Sequence, residues 1–152
     1  GDELESLLSN MAVTMYSHKG VGLAGNQVGI LKRILVADVG EKYGTSLVKM
    51  VNPEIIETSE VIAHIDEGCL SLPGFYFRTG RPDDIIVDYV DAHGEGKRHR
   101  FRGVPALIIQ HEVDHLNGIT LLEKSPRNKK KYIKKLKKLK RKHPELESIF
   151  PV

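Results

Sequence analysis

Residues 111–115 read His-Glu-Val-Asp-His. On a helix, side chains four apart share one face, so His111 and His115 can both reach a single metal ion. Glu112, beside the first of them, is placed to take a proton from a water that such an ion activates. The alternative is a pair of hydrogen-bonded histidines. Apolar Val104, Leu107 and Ile108 precede the motif and argue for a buried helix, where two imidazoles need strong partners.

Two histidines do not hold a catalytic metal; a third protein ligand is required, with the fourth position left open. Downstream stand Glu123, His143, Glu145 and Glu147. A zincin-type metallopeptidase would draw its third ligand from that side. Glu123 follows by only eight residues, and the others lie beyond a lysine-rich stretch. Upstream, the only cysteine, Cys69, sits in the turn-rich segment Glu67-Gly68-Cys69-Leu70-Ser71-Leu72-Pro73-Gly74. A free cysteine is most often a small buried hydrophobe, and a polar glycine-preceded loop fits that poorly. Its thiolate would complete a Cys-His-His set. His18, His64, His93, His99 and His143 show no metal-like spacing.

Those groups must be carried by a scaffold. Leu4, Leu7, Leu8, Met11 and Met15 repeat at helical spacing and predict a first helix over 2–16. Residues 20–29 hold four glycines and predict a loop or irregular strand. A dinucleotide loop is not expected there, because a helix precedes and a strand follows. Strands are predicted over 33–38, 47–51, 54–57 and 60–66, the second and third split by Asn52-Pro53. Residues 85–91 and 98–102 read as a hairpin. A second helix runs over 104–117, with Pro105 in its first turn and Gly118 past its end. Ser125 and Pro126 open a third over 126–142. The expected fold is α+β: antiparallel strands surrounding a central metal-binding HExxH helix, with an N-terminal and a C-terminal helix.

Three segments, GVGLAGNQ (20–27), EGCLS (67–71) and QHEVDH (110–115), resemble the signature motifs of the peptide deformylases, in the family's order. The resemblance runs from about residue 1 to 125. It implies a catalytic domain over 1–125 and a basic helix and tail over 126–152. It implies a hydrolase that removes the N-formyl group from the N-terminal methionine of nascent polypeptides and releases formate. One divalent ion per chain is implied, Fe(II) in the cell, with Zn, Ni or Co as alternatives; its ligands would be Cys69, His111 and His115. Glu112 would move the proton. Gln27 and the Leu70 N–H would face the formyl oxygen, and Val21 and Gly22 would pair the peptide as an added strand. Glu67, Leu107 and Ile108 would shape the methionine pocket, and Arg81 would bond Asp114. Two positions depart from the usual pattern: Gly25 replaces an alanine, and Asn26 stands where proline or threonine is frequent.

Composition bounds the rest. One cysteine excludes an intrachain disulfide, and no apolar run approaches a membrane span. The expected location is cytoplasmic, or an organelle matrix after removal of a transit peptide, since the sequence opens on Gly1. The net charge of +3 conceals an acidic body and a basic tail. Residues 1–123 carry 11 Lys/Arg against 18 Asp/Glu, whereas 124–142 carry 12 Lys/Arg and no acid. Such a helix either docks through Tyr132, Ile133, Leu136 and Leu139 or meets a polyanion. The resemblance to the deformylases, some of which touch the ribosome through a C-terminal helix, implies ribosome contact through 126–142 as the polyanion reading, with no DNA partner. Truncation after Ser125 is expected to leave small-peptide turnover largely intact and to weaken ribosome association.

Overall fold

The computed structural model describes residues 1–146. The end of the basic tail, 147–152, lies outside the described residues. The first helix, α1 (Asp2–Ser17), buries Leu8, Met11, Ala12 and Met15 and places Asp2, Glu3 and Glu5 in its first turn, where the helix dipole favours acids. Lys19 stops it in the left-handed region, φ 56°. Its N–H donates to the Tyr16 carbonyl (3.0 Å), and Gly20 N–H donates to Met15 (2.9 Å). This pair of bonds is a Schellman end and turns the chain straight into the glycine segment.

Five strands form one antiparallel sheet: β1 (Gly22–Ala24), β2 (Ile34–Ala37), β3 (Val48–Thr58), β6 (Asp84–Val90) and β7 (Gly96–Arg102), in the order β1-β2-β3-β6-β7. A separate two-stranded sheet pairs β4 (Ile62–Cys69) with β5 (Leu72–Pro82). Two further helices follow, α2 (Val104–Leu116) and α3 (Pro126–Lys142).

β2 shows how the layers form. All four of its residues are buried, and alternate side chains leave a strand on opposite faces. Ile34 and Val36 join Leu8, Met11 and Met15 of α1, whereas Leu35 and Ala37 join Ile109 and Val113 of α2. The sheet therefore lies between α1 and α2. The architecture is mixed α+β, with antiparallel sheets and three helices.

The glycine segment, expected as a loop or irregular strand, forms a short edge strand, β1, and then a 3-10 turn at Gly25–Val28. Two stretches differ from the sequence reading. Asn52-Pro53 does not split a strand. Asn52 adopts φ 51° and the β3–β6 register slips between Val51 and Glu54, so the pair forms an irregularity within one strand. The whole of β5 was unforeseen. Its inward side chains are Phe77, Thr79 and Arg81, and two of these three are polar. Polar inward positions erase the alternation that marks a strand.

Candidate metal centre

α2 carries His111 and His115 on one face, both only 6% exposed, with ring centroids 4.9 Å apart. Cys69 ends β4, where the pairing with β5 slips from Gly68↔Tyr76 to Cys69↔Leu72. Irregularities of this kind re-aim a side chain. Cys69 Sγ lies 3.2 Å from His115 Nε2, which lies 3.1 Å from His111 Nε2. All three donor atoms fall within 4.8 Å of one another. Bonds of ~2.0–2.3 Å in tetrahedral geometry set neighbouring ligand atoms roughly 3.3–3.6 Å apart, so the donor set fits a single divalent ion. Among the described residues no fourth protein ligand joins them, which is the open arrangement of a catalytic site.

The surroundings orient these donors. Glu67 Oε1 lies 2.7 Å from His111 Nδ1, which leaves Nε2 facing the cluster. Glu67 Oε2 accepts from the Thr79 hydroxyl and from Arg81 Nε, the latter at 2.6 Å. Arg81 Nη1 donates to Asp114 Oδ2 at 2.7 Å. A buried chain of charges thus ties the β4–β5 hairpin to α2. The Arg81–Asp114 bond is where the sequence reading placed it. Glu67 borders the cavity described below, and both of its oxygens are taken and turned towards α2 and β5. It orients a histidine in this structure and presents no free oxygen to a substrate.

Charge follows the same geometry. Burial pushes the Cys69 thiol up, but hydrogen bonds with His111 and His115 outweigh it and bring it to about 5, so the sulfur is a thiolate. Burial also pushes Glu67 up, and His111, Arg81 and Thr79 overcome it and hold the carboxyl down to about 2. His111 is pressed down by burial, yet Cys69 and Glu67 raise it to about 10. The cluster demands positive charge, which a divalent cation would satisfy. Glu112 is 3% exposed, and burial raises it to about 7. Its Oε2 is buried without a hydrogen-bond partner among the described residues. An orphaned carboxylate oxygen beside three metal-type donors is what an added ion and its water would complete.

Gly22 makes this packing feasible. A Cβ there would lie 2.6 Å from Glu112 Oε1 and 2.9 Å from its Cγ. Gln27 projects from the 3-10 turn; its Oε1 accepts from Ala24 N–H (2.8 Å), so its Nε2 faces Ser71 Oγ (3.0 Å) and Cys69 Sγ (3.4 Å). A cavity of about 610 Å³ opens beside these groups, lined by Val21, Gly22, Leu70, Phe75, Ile108 and Glu112 among others. β1 is the edge strand of its sheet, and the Val21 carbonyl already accepts from Asp38 N–H (2.8 Å). Leu107, expected in the pocket, is buried and does not line the cavity. Neighbouring helix positions point about 100° apart, and only Ile108 turns towards it.

The family model for polypeptide deformylase matches residues 1–131. The chain belongs to the polypeptide deformylase family. It is 44% identical over 124 residues to a peptide deformylase of Prochlorococcus marinus, covering 81% of this chain and 61% of that one. It is 42% identical over 137 residues to that of Thermodesulfovibrio yellowstonii, covering 89% and 82%. A class I type b peptide deformylase from Acinetobacter baumannii, solved with Met-Ala-Ser bound, superposes with a TM-score of 0.77 at 39% identity over 82% of each chain. The chain thus spans about three fifths of the first of these relatives. The family implies a divalent metal, and Cys69, His111 and His115 form a cluster that could hold one.

The two departures from the deformylase pattern gain a local explanation. Asn26 Nδ2 donates to the His115 carbonyl, and Arg33 Nη1 donates to Leu116 (3.0 Å), so this loop caps the end of the HExxH helix. A Cβ on Gly25 would lie 2.9 Å from the Lys32 carbonyl oxygen, because the loop folds back tightly. Neither partner adjoins these residues in sequence, so nothing in the motif itself announced the contacts.

Proposed function

We propose that the chain is a metal-dependent amide hydrolase that removes the N-formyl group from the N-terminal methionine of nascent polypeptides. The convergence of Cys69, His111 and His115 beside the unpartnered carboxylate of Glu112, on a peptide-sized cavity, carries this reading. The deformylase of A. baumannii was solved with a Met-Ala-Ser peptide, which supports a peptide as the occupant.

In this reading 1–125 is the catalytic domain and 126–152 the basic helix and tail, and α2 is the central helix that bears the metal. Cys69, His111 and His115 would hold one ion, taken as Fe(II), with Zn, Ni or Co also suited to thiolate and imidazole. When bound, the ion supplies Lewis acidity, polarising the formyl carbonyl and making water a better nucleophile. Glu112 takes a proton from the attacking water while the new C–O bond forms at the formyl carbon. It returns that proton to the amine nitrogen as the C–N bond breaks, and formate and the free N-terminus leave. A group raised to about 7 suits both directions of that transfer. Negative charge gathers on the formyl oxygen during attack. Gln27 Nε2 and the Leu70 N–H are the donors assigned to it. Val21 and Gly22 would align the peptide along the edge of β1, with Ile108 against the methionine side chain. The location would be cytoplasmic, where nascent chains emerge, and no helix among the described residues is long and apolar enough to cross a membrane. The lysines of α3 suit a polyanion such as ribosomal RNA.

A zincin-type peptidase would need a ligand downstream of His115. Among the described residues Glu123, His143 and Glu145 lie outside the cluster, and Glu147 falls beyond the described residues. Cys69→Ala separates the two chemistries. It should strip the metal, as read by elemental analysis, and abolish formate release. Retained metal together with internal peptide cleavage would favour the peptidase instead.

A further inference from the structure

The wall of the cavity at 74–76 belongs to the β4–β5 hairpin, which is not part of the five-stranded sheet. A two-stranded hairpin is marginal on its own, and Gly74, at φ +77°, has open space around it. The hairpin is bound to α2 through Arg81–Asp114 towards its open end and through Glu67–His111 opposite Phe77. Near its tip it meets α3. Lys131 Nζ donates to the Tyr76 carbonyl (2.8 Å) and stands 5.5 Å from the Phe77 ring centroid. Lys135 Nζ donates to the Gly74 carbonyl (3.2 Å) and stands 4.8 Å from the Phe75 ring. The Tyr132 ring packs on Phe75 with centroids 4.9 Å apart.

These three residues sit at i, i+1 and i+4, one side of the helix. They use two lysines on main-chain carbonyls and aromatic faces, with no acid involved. α3 is itself anchored: the buried Asn128 side chain donates to the Leu121 carbonyl (2.7 Å), Ser125 caps the first turn, and Leu136 is 2% exposed. The helix can therefore hold the hairpin in place.

We propose that α3 is part of the substrate-binding apparatus: Lys131, Tyr132 and Lys135 are positioning residues that hold the cavity wall at 74–76, and with it the hairpin end that carries Cys69. The inference rests on the deformylase reading for its substrate. It also revises the expectation that truncation after Ser125 is harmless to small-peptide turnover; loss of α3 should raise KM.

The test uses the full chain loaded with metal. Lys135→Gln and Lys131→Gln are compared with Lys134→Gln, an exposed neighbour without a hairpin contact, and with Lys135→Arg, which keeps both the donor and the cation over Phe75. KM for formyl-Met-Ala-Ser should rise about five- to tenfold in the combined Lys131→Gln, Lys135→Gln variant, with kcat within about twofold. Lys135→Arg should restore most of the single-variant loss. Hydrogen exchange supplies a readout independent of turnover: backbone amides of 72–77 should exchange faster in the double variant and remain as in the parent for Lys134→Gln. If the parent itself releases no formate, the deformylase reading fails and the exchange result alone decides. Unchanged exchange at 72–77, or a KM no different from that of Lys134→Gln, overturns the proposal.

Discussion

Replacing Gly22 by alanine perturbs Glu112 without touching a metal ligand. Gly22 is not among the glycines with positive φ, so its backbone accepts alanine and the penalty is purely steric. The added Cβ would lie 2.6 Å from Glu112 Oε1, whereas ordinary contacts begin at 3.4 Å. The carboxylate must therefore move by roughly 0.8 Å, and its Cγ and Cδ are crowded as well. Glu112 is buried and cannot escape to solvent. Misplacing a reacting group by about 1 Å costs ~10²-fold, equivalent to about 2.7 kcal/mol of barrier. Overpacking adds about 1–3 kcal/mol of destabilisation. The assay is formate release from formyl-Met-Ala-Ser, alongside metal content and a urea unfolding curve. We expect a full metal complement, modest destabilisation and kcat/KM down by ~10²-fold. A folded, metal-loaded Gly22→Ala protein within about threefold of the parent would refute the steric argument and the role given to Glu112.

Glu112→Ala should retain the metal, since its carboxylate is not among the donors, yet lose turnover by ~10²–10⁴-fold; near-parental kcat would remove Glu112 from the proton transfer. Arg81→Ala leaves two carboxylates, Glu67 and Asp114, without their shared cation, with Glu67 fully buried. It should cost about 3–5 kcal/mol in urea unfolding, and a loss under 1 kcal/mol would contradict the buried network. Tyr16 Oη donates to Asp38 Oδ2 at 2.6 Å, and that bond, with burial and the Asp38 charge, pushes the phenol up to about 12. A raised acid means that this contact stabilises the fold fully below the ordinary phenol value of about 10 and is lost as pH climbs through about 12. Difference absorbance against Tyr16→Phe should show that late titration, and a step near 10 would contradict it.

The helical period made much of the metal centre legible. Residues four apart in a buried helix can only face the same way, so His111 and His115 were paired before any fold was known. The strand at 34–37 was legible from its apolar run, but that it is covered by α1 on one face and α2 on the other was not. Nor was the β5 strand. Its inward residues Thr79 and Arg81 serve Glu67, so their polarity disguised a strand as a loop. The same long-range demand hid the contacts of Glu67 with His111. It turned Asn26 from an apparent departure into a helix cap 89 residues away in sequence. Steric needs were also invisible: the glycine at 22 can be read from the motif, but its contact with the Glu112 carboxylate depends on how β1 meets α2. Patterns in sequence report periodicity and local chemistry; contacts between distant polar residues leave no such trace.

The most direct test of the central claim is formate release from formyl-Met-Ala-Ser by the chain loaded anaerobically with Fe(II), beside the same protein after chelation and beside Cys69→Ala. The account predicts rapid release from the loaded parent and none from the other two, with activity returning to the chelated protein when a divalent metal is restored. Absence of release from a folded parent shown to hold one metal per chain, or release that survives the loss of Cys69, would contradict it.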